Sequence, residues 1–157
     1  MSSKVESLEL KKVCRQLRSS INDIVLVWIR RVQADPYLRA DDNLTHIQIV
    51  DHIPQMLEEL CDLLEHGSAT DFKDIRASSH HGYRRALEGY TLTELLRELE
   101  LLRDCVFTFV AETEAGHNLT RTEIISALRN VNEYFGEDII FVVEHYLRRS
   151  KTDASIA

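Results

Sequence analysis

The sequence predicts an all-α helical bundle with long first and last helices, in a single domain over residues 1–157 whose core lies at about 4–149. Three observations carry this. Only five glycines and two prolines interrupt 157 residues, too few for a many-turned β fold. Apolar residues recur at three- and four-residue spacing over nearly the whole chain. Cap signals stand where several of these periodic runs begin.

Leu10, Val13, Cys14, Leu17, Ile21, Ile24, Val25, Trp28 and Val32 share an arc of about 120°. The stripe keeps its phase across Ser19-Ser20, which predicts one long first helix, with those serines as the place for any kink. It ends by Asp35-Pro36, because proline disfavours helical backbone in the residue before it. Residues 37–43 read as a loop, and Asn43 or Thr45 can cap a short helix through Val50. Pro54 then forces a break or kink. Met56, Leu57, Leu60, Cys61 and Leu64 are helical again, with Gly67 as the C-cap. Thr70 and Asp71 open a helix that runs to about Glu88 and stops at Gly89. Thr91-Leu-Thr-Glu94 fits a capping box, and Leu92, Leu95, Leu96, Leu99, Leu102, Val106, Phe107 and Val110 follow within about 140°. Gly116 and Asn118 make the next turn.

The last helix is expected from Thr120 to Arg149, with a frayed tail from Ser150 to Ala157. Its apolar residues span about 180°, wider than one core requires. The extra width predicts a second partner surface, most simply another copy of the chain, with Phe135, Ile139, Val142, Val143 and Tyr146 as interface candidates. The alternative is a central helix buried on two sides within one subunit.

Composition narrows the function. The net charge of −7 opposes binding to a phosphate backbone. The basic clusters Arg30-Arg31, Arg84-Arg85 and Arg148-Arg149-Lys151 are short, have acids nearby and read as solvated helix ends. Cys14, Cys61 and Cys105 are odd in number and far apart, so they read as small buried residues in a reducing compartment. No apolar run reaches the ~18–20 residues of a membrane span, and Met1 to Lys12 is polar with acids, unlike a signal peptide. The expectation is a cytoplasmic protein with no membrane insertion and no nucleic-acid partner.

No catalytic constellation assembles. Seven histidines are present, but none of His46, His52, His66, His80, His81, His117 and His145 pair at the three- or four-residue spacing of helix-borne metal ligands. There is no H-E-x-x-H, no G-x-S-x-G elbow and no glycine-rich phosphate loop. The acids Glu58-Glu59 and Glu98-Glu100 fall mostly on predicted solvent positions and read as solubilising charge. The expectation is therefore a non-enzyme with no metal and no cofactor. Candidates for ligand or signal sensing remain. His52 sits at the predicted break beside Pro54, where freed backbone groups need partners. His81 and Arg84 share a helix face and could hold an anion or a partner carboxylate. In each case a purely structural role is the plainer reading.

Two stretches together resemble a known family. The first is Trp28-x-x-Arg31, then Pro36, then Ile49-Val-Asp-His-Ile-Pro-Gln-Met-Leu57. The second is His81-Gly-x-x-Arg84 followed by Gly89-Tyr-Thr-Leu-x-Glu-Leu-Leu96-x-Glu-x-x-Leu-Leu-Arg103. In order and spacing these are similar to the RsbRD-type N-terminal sensor domain, across residues 20–147. That domain stands ahead of STAS domains in stress-response co-antagonists and ahead of some sensor histidine kinases. The resemblance implies a globin-like, non-haem helical bundle, usually a homodimer, that receives a signal and hands it to a separate STAS or histidine kinase type of partner. His52, Pro54, His81, Gly82, Arg84, Glu98 and Arg103 match its pattern, whereas Leu99 replaces an expected tyrosine.

The function expected is thus a signal-input and dimerisation domain of a bacterial stress-response or two-component system, acting through protein–protein contacts. One alternative is a haem- or small-ligand-binding globin-like sensor using His52 or His81. Another is a histidine phosphotransfer module using His81.

Overall fold

The computed structural model describes residues 2–38, 50, 52–66, 84–117 and 119–156. Five helices organise them: α1 Ser2–Ser19, α2 Ile21–Ala34, α3 Ile53–His66, α4 Leu92–His117 and α5 Arg121–Ile156. Among the described residues there is no strand, and no helix is long and apolar enough to cross a membrane. The predicted short helix ending at Val50, the Gly67 cap and most of the helix expected from Thr70 to Glu88 lie outside the described residues.

The long first helix is in fact two. Ser20 leaves helical geometry at φ −111° and ψ 9°, and its N–H donates to the Leu17 carbonyl at 3.1 Å. Its own carbonyl accepts from Ile24 N–H at 3.0 Å, so α2 starts with hardly a lost bond. The apolar phase survives the break: Val13, Cys14, Leu17, Ile21, Ile24, Val25, Trp28 and Val32 are all buried. A serine that can satisfy backbone locally is a natural site for such a kink, and Ser19 Oγ does so by donating to the Gln16 carbonyl at 2.9 Å.

At the other end of α2, Asp35 is extended, as its position before Pro36 requires. Its carboxylate accepts from Tyr37 N–H at 2.9 Å and from Arg97 Nε at 2.8 Å, which ties the end of α2 to α4. Pro54 stands in the first turn of α3, where its missing N–H is not needed. Two capping boxes start the last helices. Thr91 N–H donates to Glu94 at 2.8 Å while Glu94 N–H returns to Thr91 Oγ1 at 3.2 Å. Thr120 and Glu123 repeat the exchange ahead of α5.

The helices pack as one layered bundle. α4 and α5 form an antiparallel hairpin, α1 lies on α3, and α2 lies on α4. Aromatic side chains join these pairs through their polar ends. Tyr134 Oη of α5 donates to the Met56 carbonyl of α3 at 2.9 Å, and Trp28 Nε1 of α2 donates to the Glu98 carbonyl of α4 at 3.1 Å. Ion pairs close the outer seams. Arg18 bridges to Asp62 at 2.7 Å, and Arg31 pairs with Asp104.

α5 departs from expectation twice. It stays helical through Ile156, past the expected end at Arg149, with Thr152 and Ser155 hydroxyls donating to carbonyls one turn back. Its inner face is also spent within the subunit. Phe135 and Val142 are wholly buried, and Ile139 and Tyr146 pack partly buried against the same core. The wide apolar arc is therefore largely explained by burial against α1, α3 and α4, which removes Phe135 and Val142 as candidates for contact with another chain.

Burial alone would raise the Asp35 pKa, but the Tyr37 N–H and the Arg97 guanidinium outweigh it and hold the carboxyl below its ordinary value. Because the folded value is the lower one, this stabilisation is complete above the unfolded carboxyl pKa and disappears as pH falls through the folded one. Asp35→Asn should therefore lower the thermal midpoint at pH 7 and narrow the gap to wild type in strong acid, a trend that a pH series of melting curves measures directly.

Candidate functional site

Three charged side chains are completely enclosed among the described residues: Arg85, Glu98 and Asp138. Burying an ion costs several kcal/mol unless it is paired and hydrogen-bonded. The local chain explains how Arg85 meets this demand.

Residues 84–87 form a helical turn that Gly89 ends at φ +85°, a left-handed conformation that suits a residue without Cβ. Gly89 N–H donates to the Ala86 carbonyl at 3.3 Å and Tyr90 N–H to the Arg85 carbonyl at 3.0 Å, the two bonds of a Schellman cap. This cap folds the Tyr90 ring over the Arg85 guanidinium, at 5.0 Å from its centroid. The capping box at Thr91 then starts α4 and carries Glu98 back to the same place. Arg85 Nε and Nη2 both donate to the Glu98 carboxylate at 2.9 Å, and Nη1 donates to Glu88 at 2.7 Å. Burial pulls the Arg85 pKa down, but Glu98 and its hydrogen bonds more than reverse this, so the guanidinium stays charged.

Other helices close on the pair. Trp28 of α2 bonds the backbone of Glu98 itself, and Tyr146 Oη of α5 donates to the Tyr90 carbonyl at 2.8 Å. Three helices and the 84–91 connector thus meet at one ion pair. Asp138, on the inner face of α5, is as deeply buried. The arrangement can hold elements together and transmit a change in one to the others. Its guanidinium is engaged on two carboxylates and covered by an aromatic ring.

The sequence-derived candidates are distributed differently. His52 is half-buried at the start of α3, where its carbonyl accepts from Met56 N–H at 3.0 Å. Arg84 is exposed, while its neighbour Arg85 holds the buried position, so Arg84-Arg85 is not a solvated pair. Glu98 is likewise not surface charge. His81 and Gly82 lie outside the described residues, as do His46 and His80. His66 and His145 each donate Nδ1–H to the carbonyl four residues back, at 2.7 and 2.8 Å. Arg103 lines a groove of about 510 Å³ between α4 and α5, with Arg97, Glu100, Asp104, Phe107 and Asn132. Cys14, Cys61 and Cys105 are free and buried, and desolvation raises all three thiols, which suppresses the nucleophilic thiolate.

The sequence pattern sorts Arg85 to solvent and does not single out Asp138, yet both are buried. Asp138 had a legible signal: it is flanked by Tyr134, Phe135 and Val142 on the core face of α5. For Arg85 the signal lies in Arg85-x-x-x-Gly89-Tyr90, a helix end that returns its aromatic residue onto the arginine.

The fold and its polar hub define a domain built as a bundle of packed helices. The chain belongs to the family of the RsbT co-antagonist protein RsbRD N-terminal domain, whose model matches residues 22–155. Membership ties it to stress-response signalling. Comparison with curated proteins and with solved structures returns no match.

Removing one partner of a buried ion pair should be far costlier than removing both. Arg85→Met leaves the Glu98 carboxylate enclosed and should cost about 3–5 kcal/mol in denaturant unfolding, whereas Arg85→Met with Glu98→Leu should recover most of that loss. Arg84→Ala, one residue away and exposed, should change stability by less than about 1 kcal/mol.

Proposed function

We propose that this chain is a non-enzymatic signal-input domain that dimerises through the outer face of α5. It passes its signal to a STAS or histidine kinase type of partner by shifting helix packing. One observation carries the dimer: the placement of Gly136. It is exposed in the middle of a 36-residue helix, and a Cβ built there meets nothing within 4 Å. A helix-interior glycine costs about 1 kcal/mol against alanine. Nothing among the described residues accounts for it, whereas close approach by a helix from outside does.

The residues around it support this. Ile125, Ile140 and Leu147 are about half exposed, at 49, 52 and 46%. With Arg129, Asn132, Gly136 and Val143 they form one stripe at spacings of four and three, within about 80° of the helix surface. Ile125, Gly136 and Leu147 recur every eleven residues, a period that favours a right-handed crossing of two such helices. Of the interface candidates read from the sequence, only Val143 lies on this stripe. The family also supplies the regulatory role, and the hub at Arg85 offers a route from the connector to α5 through Tyr146.

Gly136 separates folding from assembly. By light scattering the wild type should have about twice the 18.2 kDa chain mass, and Ile140→Glu or Gly136→Leu should have the mass of one chain. Gly136→Ala should raise the unfolding free energy of the subunit by about 0.4–1 kcal/mol. A single-chain mass for the wild type sinks the dimer.

A further inference from the structure

On the flank of α4 away from α5, α2 and α4 run antiparallel and leave an open groove of about 420 Å³. The pairing along it is regular, from Asp35 with Arg97 to Arg31 with Asp104. Ile24, Val27, Cys105 and Phe109 give it an apolar floor, and Val27 stands exposed on the α2 side. The two ends differ in charge. At one, Arg31 is neutralised by Asp104. At the other, Asp23 and Glu112 face the same groove, and neither makes an ion pair with another described residue.

We propose that this groove docks an amphipathic helix of a partner protein, with a basic residue seated between Asp23 and Glu112. The groove between two packed helices accepts a third helix lengthwise. From Asp23 to Arg31 it spans ~12 Å, about two helical turns, so anchors at i, i+4 and i+7 reach along the floor. The unopposed carboxylates set both the sign of the partner's charge and its direction. An acidic helix is rejected there, and a basic end laid the other way meets the engaged Arg31. The surface is distinct from the α5 stripe, so a dimer can present one groove per subunit, and the proposal stands or falls separately from dimerisation.

The test uses the full chain and a fluorescein-labelled, alanine-rich peptide of about 16 residues, with leucines at i, i+4 and i+7 and two arginines at one end. Anisotropy should rise to saturation. Val27→Asp should weaken binding at least about tenfold, and so should raising the salt from 50 to 500 mM, the latter by screening the end contact. Asp23→Lys combined with Glu112→Lys should lose the arginine peptide and gain a peptide with glutamates in place of the arginines. That swap separates a lost contact from a lost fold, and circular dichroism checks each variant. No saturable binding overturns the proposal, as does binding indifferent to the swap. It is also overturned if Val27→Asp, rather than Ile140→Glu, reduces the light-scattering mass to one chain, because the groove is then covered by a second copy.

Discussion

The fold turns on a charge that cannot be left alone. Arg85 is enclosed and cut off from bulk solvent, so Glu98 must be in place whenever the 84–91 connector is docked. Glu98 is positioned by α4, whose start is set by the Thr91 box, and its backbone is gripped by Trp28 of α2. Moving any one of these elements separates ions in a low-dielectric interior. A purely apolar layer could slide by a turn at little cost, but this one accepts a single register. Such a layer makes alternative helix packings discrete.

The rest of the bundle is held by weaker, distributed contacts. Surface pairs such as Arg18 with Asp62 contribute little individually, about 0–1 kcal/mol. The apolar layer supplies the bulk of stability, and the aromatic hydroxyls and indole fix which helix lies against which. The two capping boxes do the corresponding work along the chain, deciding where α4 and α5 begin.

Much of this was legible because it is local. The leucine stripe of α4, the Thr91 box, the stop at Asp35-Pro36 and the helical run that follows Pro54 depend on residues a few positions apart. The kink at Ser20 was legible as a place but not as a full break, because the apolar phase runs through it unchanged. What escaped was long-range pairing. Glu98 lies just outside the apolar arc of α4, so periodicity alone sorts it to solvent until Arg85 appears opposite it. Arg84 and Arg85 look alike in sequence, yet one helical step of ~100° puts one in water and the other in the core. The α5 arc is wide, and helix periodicity cannot tell burial by the same chain, as at Phe135 and Val142, from a face left for another, as at Ile125 and Ile140.

Trp28 is the only tryptophan in the chain, and its indole N–H bonds the carbonyl of the same residue that neutralises Arg85. The indole is fully shielded and sits beside a fixed pair of charges. Its emission is therefore tuned by the local electric field as well as by exclusion of water. A rearrangement of the ion-pair layer that left the overall helix content unchanged would be silent in far-ultraviolet dichroism. It would still shift the colour of this one fluorophore, so the protein carries an unlabelled optical readout of its own packing state.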